Sequence, residues 1–175
     1  MWIAWARIIV VTLFVLPSQA FGQGGVERDR EGVFVAWEVP VVLVPEDIDK
    51  ANVISSIQLA LVMRSWRTIE HNQQAQYFDV ELPVRTHVAR LRVDYGDDGS
   101  VRFLHREGDN LPIAWFVPRY SPTTGERLSD ELVRSSRSSH ARLAVHQNYD
   151  DWVHQLVRTV TGLFQLPWLE IGPAR

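Results

Sequence analysis

The sequence predicts an α+β domain: a single antiparallel sheet of about four to five strands with two helices packed on one face, in the order strand, helix, four strands, helix. Three patterns predict it. Residues 86–95 alternate, with Ala89, Leu91, Val93 and Tyr95 on one side and Arg90, Arg92 and Asp94 on the other, as in a strand with one face on a core and one in water. Ile54, Ile57 and Leu61 recur at spacings of three and four, one turn after Ala51, which is the buried stripe of a helix. Trp152, Val153, Leu156, Val157, Val160, Leu163 and Phe164 form a broader apolar face opposed by His154, Gln155, Arg158 and Thr161, which predicts the second helix.

At the N-terminus, residues 1–20 predict a secretory signal cleaved after Ala20. Arg7 is its one charged side chain, residues 8–16 are apolar apart from Thr12, and Pro17 breaks any helix. Ser18-Gln19-Ala20 places small residues at both positions that a signal peptidase inspects. A nine-residue helix reaches only about 13 Å, short of a bilayer core of ~30 Å, so a retained anchor is the weaker alternative and no membrane span is expected after cleavage. The lack of a twin arginine points to the general secretory route, and the product is expected in the periplasm or outside the cell. Residues 21–32, with four glycines, read as a disordered leader; residues 33–166 as a single domain; residues 167–175 as a tail.

Within the domain, residues 33–44 are valine-rich and predict the first strand, with Pro40 marking an edge or a break. Pro45-Glu46-Asp47 starts a helix over residues 47–65, its acids lying where the helix dipole favours them. Strands are expected at 66–71, 77–84 and 86–95. Asp97-Asp98-Gly99 is a three-residue hairpin loop leading to a fourth, whose register pairs Tyr95 with Val101, Val93 with Phe103 and Leu91 with His105, and brings His87 opposite Asp109. Residues 118–139, rich in serine, arginine and proline, read as an exposed insertion with a short helix near 129–133. Asn148 or Asp150 is expected to cap the last helix, and Pro167 to stop it.

Composition narrows the function. The chain has no cysteine, so disulfides, thiolate metal sites and thiol nucleophiles are out, as is the usual bacterial lipid attachment point. Loss of Arg7 leaves 17 basic against 21 acidic residues, a balance without the footprint of nucleic-acid binding. Lys50 is the one lysine. No glycine-rich phosphate loop, paired-histidine zinc motif or serine elbow occurs. The segment from Asp94 grazes a calcium loop but has Gly96 and His105 where oxygen ligands are needed.

Four constellations remain. His87 with Asp109 could be a base and its orienting carboxylate, though a polar pair at a strand end is the plainer account. His146, Asp150 and His154 are spaced by four and could hold a metal; first-turn acids and a solvent-facing histidine explain them better. Tyr149 and Trp152 could line a pocket, but aromatics at helical spacing are more often core. Arg90, Arg92 and Arg102 could make a basic stripe, with nearby acids making a salt-laced surface the default. No catalytic residue, metal ligand or cofactor is assigned.

Residues 57–66 (IQLALVMRSW), 82–95 (LPVRTHVARLRVDY) and 146–156 (HQNYDDWVHQL) together resemble a family of small exported bacterial proteins without established function, often predicted lipoproteins, with a TBP-like topology. Gly108-Asp109-Asn110-Leu111 is similar to that family's Ser-x-Asn-Leu segment. The resemblance implies Arg85, His87, Tyr95, Asn110, His146, Asn148, Tyr149 and Trp152 as positions to examine. Arg85, His87, Asn110, His146, Asn148 and Tyr149 are the candidate binding residues, expected to converge at the sheet ends and the start of the last helix. The expected function is a non-catalytic periplasmic protein binding an unknown protein or small ligand of the cell envelope. The alternatives are a histidine-dependent hydrolase, with or without a metal, and an envelope assembly factor acting through a sheet edge or the 118–139 insertion.

Overall fold

A computed structural model describes residues 27–29, by their backbone alone, and 32–166; the predicted signal, most of the leader and the tail lie outside the described residues. The elements run β1 (Glu27–Asp29), β2 (Gly32–Ala36), β3 (Val41–Leu43), α1 (Lys50–Met63), β4 (Arg67–Asn72), β5 (Tyr77–Val84), β6 (His87–Tyr95), β7 (Ser100–Asp109), β8 (Ile113–Tyr120), β9 (Arg127–Val133), β10 (Arg142–His146) and α2 (Gln147–Phe164). The strands form two antiparallel sheets, β1-β2-β10-β8-β9 and β3-β7-β6-β5-β4. The expectation of a single sheet in strand-helix-four-strand-helix order is therefore wrong.

The miss has physical causes. The predicted first strand divides at residues 37–40, where Pro40 has no N–H to continue a ladder; β2 enters one sheet and β3 the other. β8 buries Ala114 and Phe116 on one face and half-buries Ile113, Trp115 and Val117 on the other. Strands covered on both faces lose the alternation that betrays a half-wet strand. β10 likewise sends Val145 and Leu143 into one core and Ala144 into another. The supposed insertion completes β8 and supplies β9, which pairs with it from Trp115↔Val133 to Tyr120↔Arg127, so residues 129–133 are strand and not helix. β1 falls in the supposed disordered leader, pairing Glu27 with Phe34.

The second sheet follows its pattern closely. Tyr95 faces Val101, Val93 faces Phe103 and Leu91 faces His105, with Leu91 and Val93 buried and Arg90 and Arg92 ion-paired on the other face. Beyond Arg90↔Arg106 the register slips by one residue, so Asp109 faces Val88, not His87. The extra residue lies at Glu107-Gly108. A Cβ on Gly108 would stand 2.1 Å from the Val88 carbonyl oxygen, so this bulge needs glycine's bare backbone.

The main core lies between the inner face of this sheet (Phe78, Val80, Leu91, Val93, Phe103) and the helices (Ile57, Leu61, Val153, Leu156, Val160); Val35, Trp37, Leu143 and Val145 join it from the first sheet. A smaller cluster of Phe34, Ala114, Phe116 and Ala144 occupies the first sheet's other face. Asp49 caps α1, accepting from Asn52 N–H at 2.7 Å, somewhat later than Pro45-Glu46-Asp47 suggested. Arg64 Nε donates to Thr159 Oγ1 at 2.6 Å, tying α1 to α2. Among the described residues, no helix is long and apolar enough to cross a membrane.

Candidate functional site

A cleft of about 130 Å³ opens where the two sheets meet, lined by His87, Leu111, Pro112, His146, Asn148 and Trp152. His87 begins β6 in one sheet, and His146 ends β10 in the other. Leu111 and Pro112 form the passage from β7 to β8, and Asn148 and Trp152 sit in the first turns of α2.

Two left-handed residues set the His87 wall. Arg85 (φ 54°) opens the two-residue loop between the paired Val84 and His87, and Asn110 (φ 55°) follows β7. Asparagine tolerates that conformation better than most side chains. Its amide Nδ2 donates to the Thr86 carbonyl at 2.7 Å, and its own carbonyl accepts from His87 Nδ1. Because a carbonyl only accepts, Nδ1 carries the proton, and the neutral His87 ring keeps Nε2 as an acceptor.

The opposite wall has the other tautomer. His146, not Asn148 or Asp150, caps α2: its Nδ1 accepts from Asn148 N–H at 3.1 Å, which places the neutral ring's proton on Nε2. A Cβ on Gly32 would stand 2.5 Å from that Nε2, so β2 approaches the imidazole as closely as glycine allows, and Phe34 meets it edge-on at 6.1 Å.

The remaining candidates go elsewhere. Tyr149 points into the core: its hydroxyl donates to the Arg90 carbonyl at 3.0 Å, and its ring packs on Trp37 (5.4 Å) and His105 (5.0 Å). Burial pushes the Tyr149 phenol up. Burial, helped by the Arg106 charge, pulls His105 down to about 4. Arg85 is exposed on its hairpin and does not line the cleft. Asp109 takes a two-pronged ion pair from Arg90 (3.1 and 2.7 Å), so the His87–Asp109 pair is not formed. His154 bonds the Asp150 carbonyl at 2.9 Å, and among the described residues no group of three or more His, Asp or Glu side chains could hold a metal. Arg92 and Arg102 are paired with Asp79 and Asp98, so the arginine stripe is a salt-laced surface.

The sequence reading did not single out Leu111 and Pro112 as site residues, and it weighed Trp152 as more often core although the family resemblance placed it among the positions to examine. A larger cavity of about 230 Å³ lies near the β6–β7 hairpin, lined by Val44, Ile48, Val53, Tyr95 and Ser100 among others. Its polar groups are spent internally: Lys50 pairs with Asp97 at 2.8 Å, the Tyr95 hydroxyl bonds His71 Nε2 at 2.7 Å, and Ser100 Oγ bonds Asp98 at 2.7 Å. The smaller cleft is the better site because it pairs apolar walls with oriented polar groups.

No protein-family model, curated protein or solved structure matches the chain.

Proposed function

We propose that this chain is an exported, non-catalytic binding protein of the bacterial envelope, and that the cleft between its sheets takes a small polar group of a ligand or partner. The observation that carries the reading is the fixed His87 tautomer in a cleft with apolar walls. Nε2 remains to accept a hydrogen bond, Asn148 adds an exposed amide, and Leu111, Pro112 and Trp152 supply the apolar surface. At about 130 Å³, and with a water's share of liquid being about 30 Å³, the cleft suits a group of a few heavy atoms.

Among the described residues no serine, threonine, aspartate or glutamate lines the cleft, so these walls offer neither a hydroxyl nucleophile nor an orienting carboxylate. One observation favours a hydrolase as the second reading: a ring held through Nδ1–H is oriented to use Nε2 as a general base. Water would then have to be the nucleophile.

Thermal-shift measurements with a panel of small amides, carboxylates and dipeptides test the binding reading. At least one compound should stabilise the parent chain, by about 2.7 kcal/mol at a hundredfold excess over Kd, and should lose the effect in both His87→Ala and Trp152→Ala. If no compound stabilises the parent, or if hits stabilise the variants equally, the reading is wrong.

A further inference from the structure

The second sheet has two edges, β4 and β3, and they are built differently. β4 carries Arg67 and Glu70 and is broken by a register shift between Thr68 and Glu70; charges and bulges are the usual guards against strand addition. β9, an edge of the first sheet, carries Arg127, Asp130 and Glu131. β3 has no charge at all: Val41 and Leu43 are 51 and 77% exposed, and Val39, just before the strand, is 45% exposed.

The backbone of β3 is open as well. Phe103 N–H donates to the Pro40 carbonyl at 3.1 Å, and Val44 N–H to the Gly99 carbonyl at 2.9 Å. With the register Val42↔Val101, the even-numbered residues turn their polar groups toward β7. In an antiparallel ladder the intervening residues face the other way, so the N–H and C=O of Val41 and Leu43 point out of the sheet. Pro40 does not guard this edge, since the N–H it lacks would have pointed at β7. Glu38, Glu46 and Asp47 flank the strand on both sides, all exposed, and among the described residues none has an ion-pair partner.

We infer that the free edge of β3 docks an extended segment of a partner protein, apolar at alternate positions and bearing a lysine or arginine at each end. Backbone bonding to Val41 and Leu43 supplies affinity, as in other strand additions, and the flanking acids select the basic ends. Pairing with a second copy of β3 about a two-fold axis at Val42 would set Glu38 against Glu46, a like-charge pair that disfavours it.

Fluorescence anisotropy with a labelled peptide of alternating valine and threonine, lysine at each end, tests this on the purified chain. The lysine peptide should bind saturably, its glutamate-ended counterpart about tenfold or more weaker, a loss of ~1.4 kcal/mol, and a version with a central proline not at all. Glu38→Lys/Glu46→Lys should reverse the charge preference, Leu43→Lys should weaken both peptides, and neither should alter thermal shifts from cleft compounds. Amide exchange at Val41 and Leu43 should slow when the lysine peptide is added. Equal binding of the two charged peptides, no saturable binding, protection at other amides, or a dimer abolished by Leu43→Lys would each overturn the inference.

Discussion

Asn110 holds the cleft's geometry through one residue in a left-handed conformation, its amide on Thr86 and its carbonyl on His87. Nearby, His105 sets a pH dependence. Its folded-state value near 4 lies below the ordinary 6.5, so the unfolded chain binds the proton first on acidification. The stabilisation is complete above pH 6.5 and is lost as pH falls toward 4, with a slope of at most ~1.4 kcal/mol per pH unit and less because the ring is partly exposed. Urea titrations across that window should show this decline in the parent chain and a flatter profile in His105→Gln. His87 stood out in the sequence at a strand end and Asn148 as a helix-cap candidate, and both line the cleft; Asn110 came only through the family resemblance. The role of His146 was not, because histidine is an uncommon cap and the strand leading into it was hidden. Tyr149, beside these in sequence, sits on the opposite face of its helix turn and is core.

Among elements, β5 to β7 were readable because one face is wet, and alternation of Leu91 and Val93 with Arg90 and Arg92 states both face and register. That register fails where Gly108 inserts an extra residue, which no period-two pattern can announce. With backbone 2.1 Å from its would-be Cβ, Gly108→Ala must separate β6 from β7. A loss of more than about 2 kcal/mol is expected, measured by chemical denaturation, together with changed shifts of the His87 ring in NMR spectra. β8 and β10, covered on both sides, gave only apolar runs, and a buried strand and a buried helix look alike in such runs.

At the scale of the whole molecule, residues 118–139 belong to the fold. β9 covers the edge of β8, Leu132 packs on the Phe34–Phe116 cluster, and Asp130 accepts from both Arg127 and Arg142, joining β9 to β10. Excising 118–139 should therefore lower the melting temperature or abolish cooperative unfolding in calorimetry, whereas an exposed insertion would come out at little cost. The single-sheet expectation had no use for this segment; two sheets need it.

The cleft draws one wall from each sheet and a third from the short passage between them. A molecule lodged there would rest on both sheets at once, adding a second bridge to the one the shared core already makes.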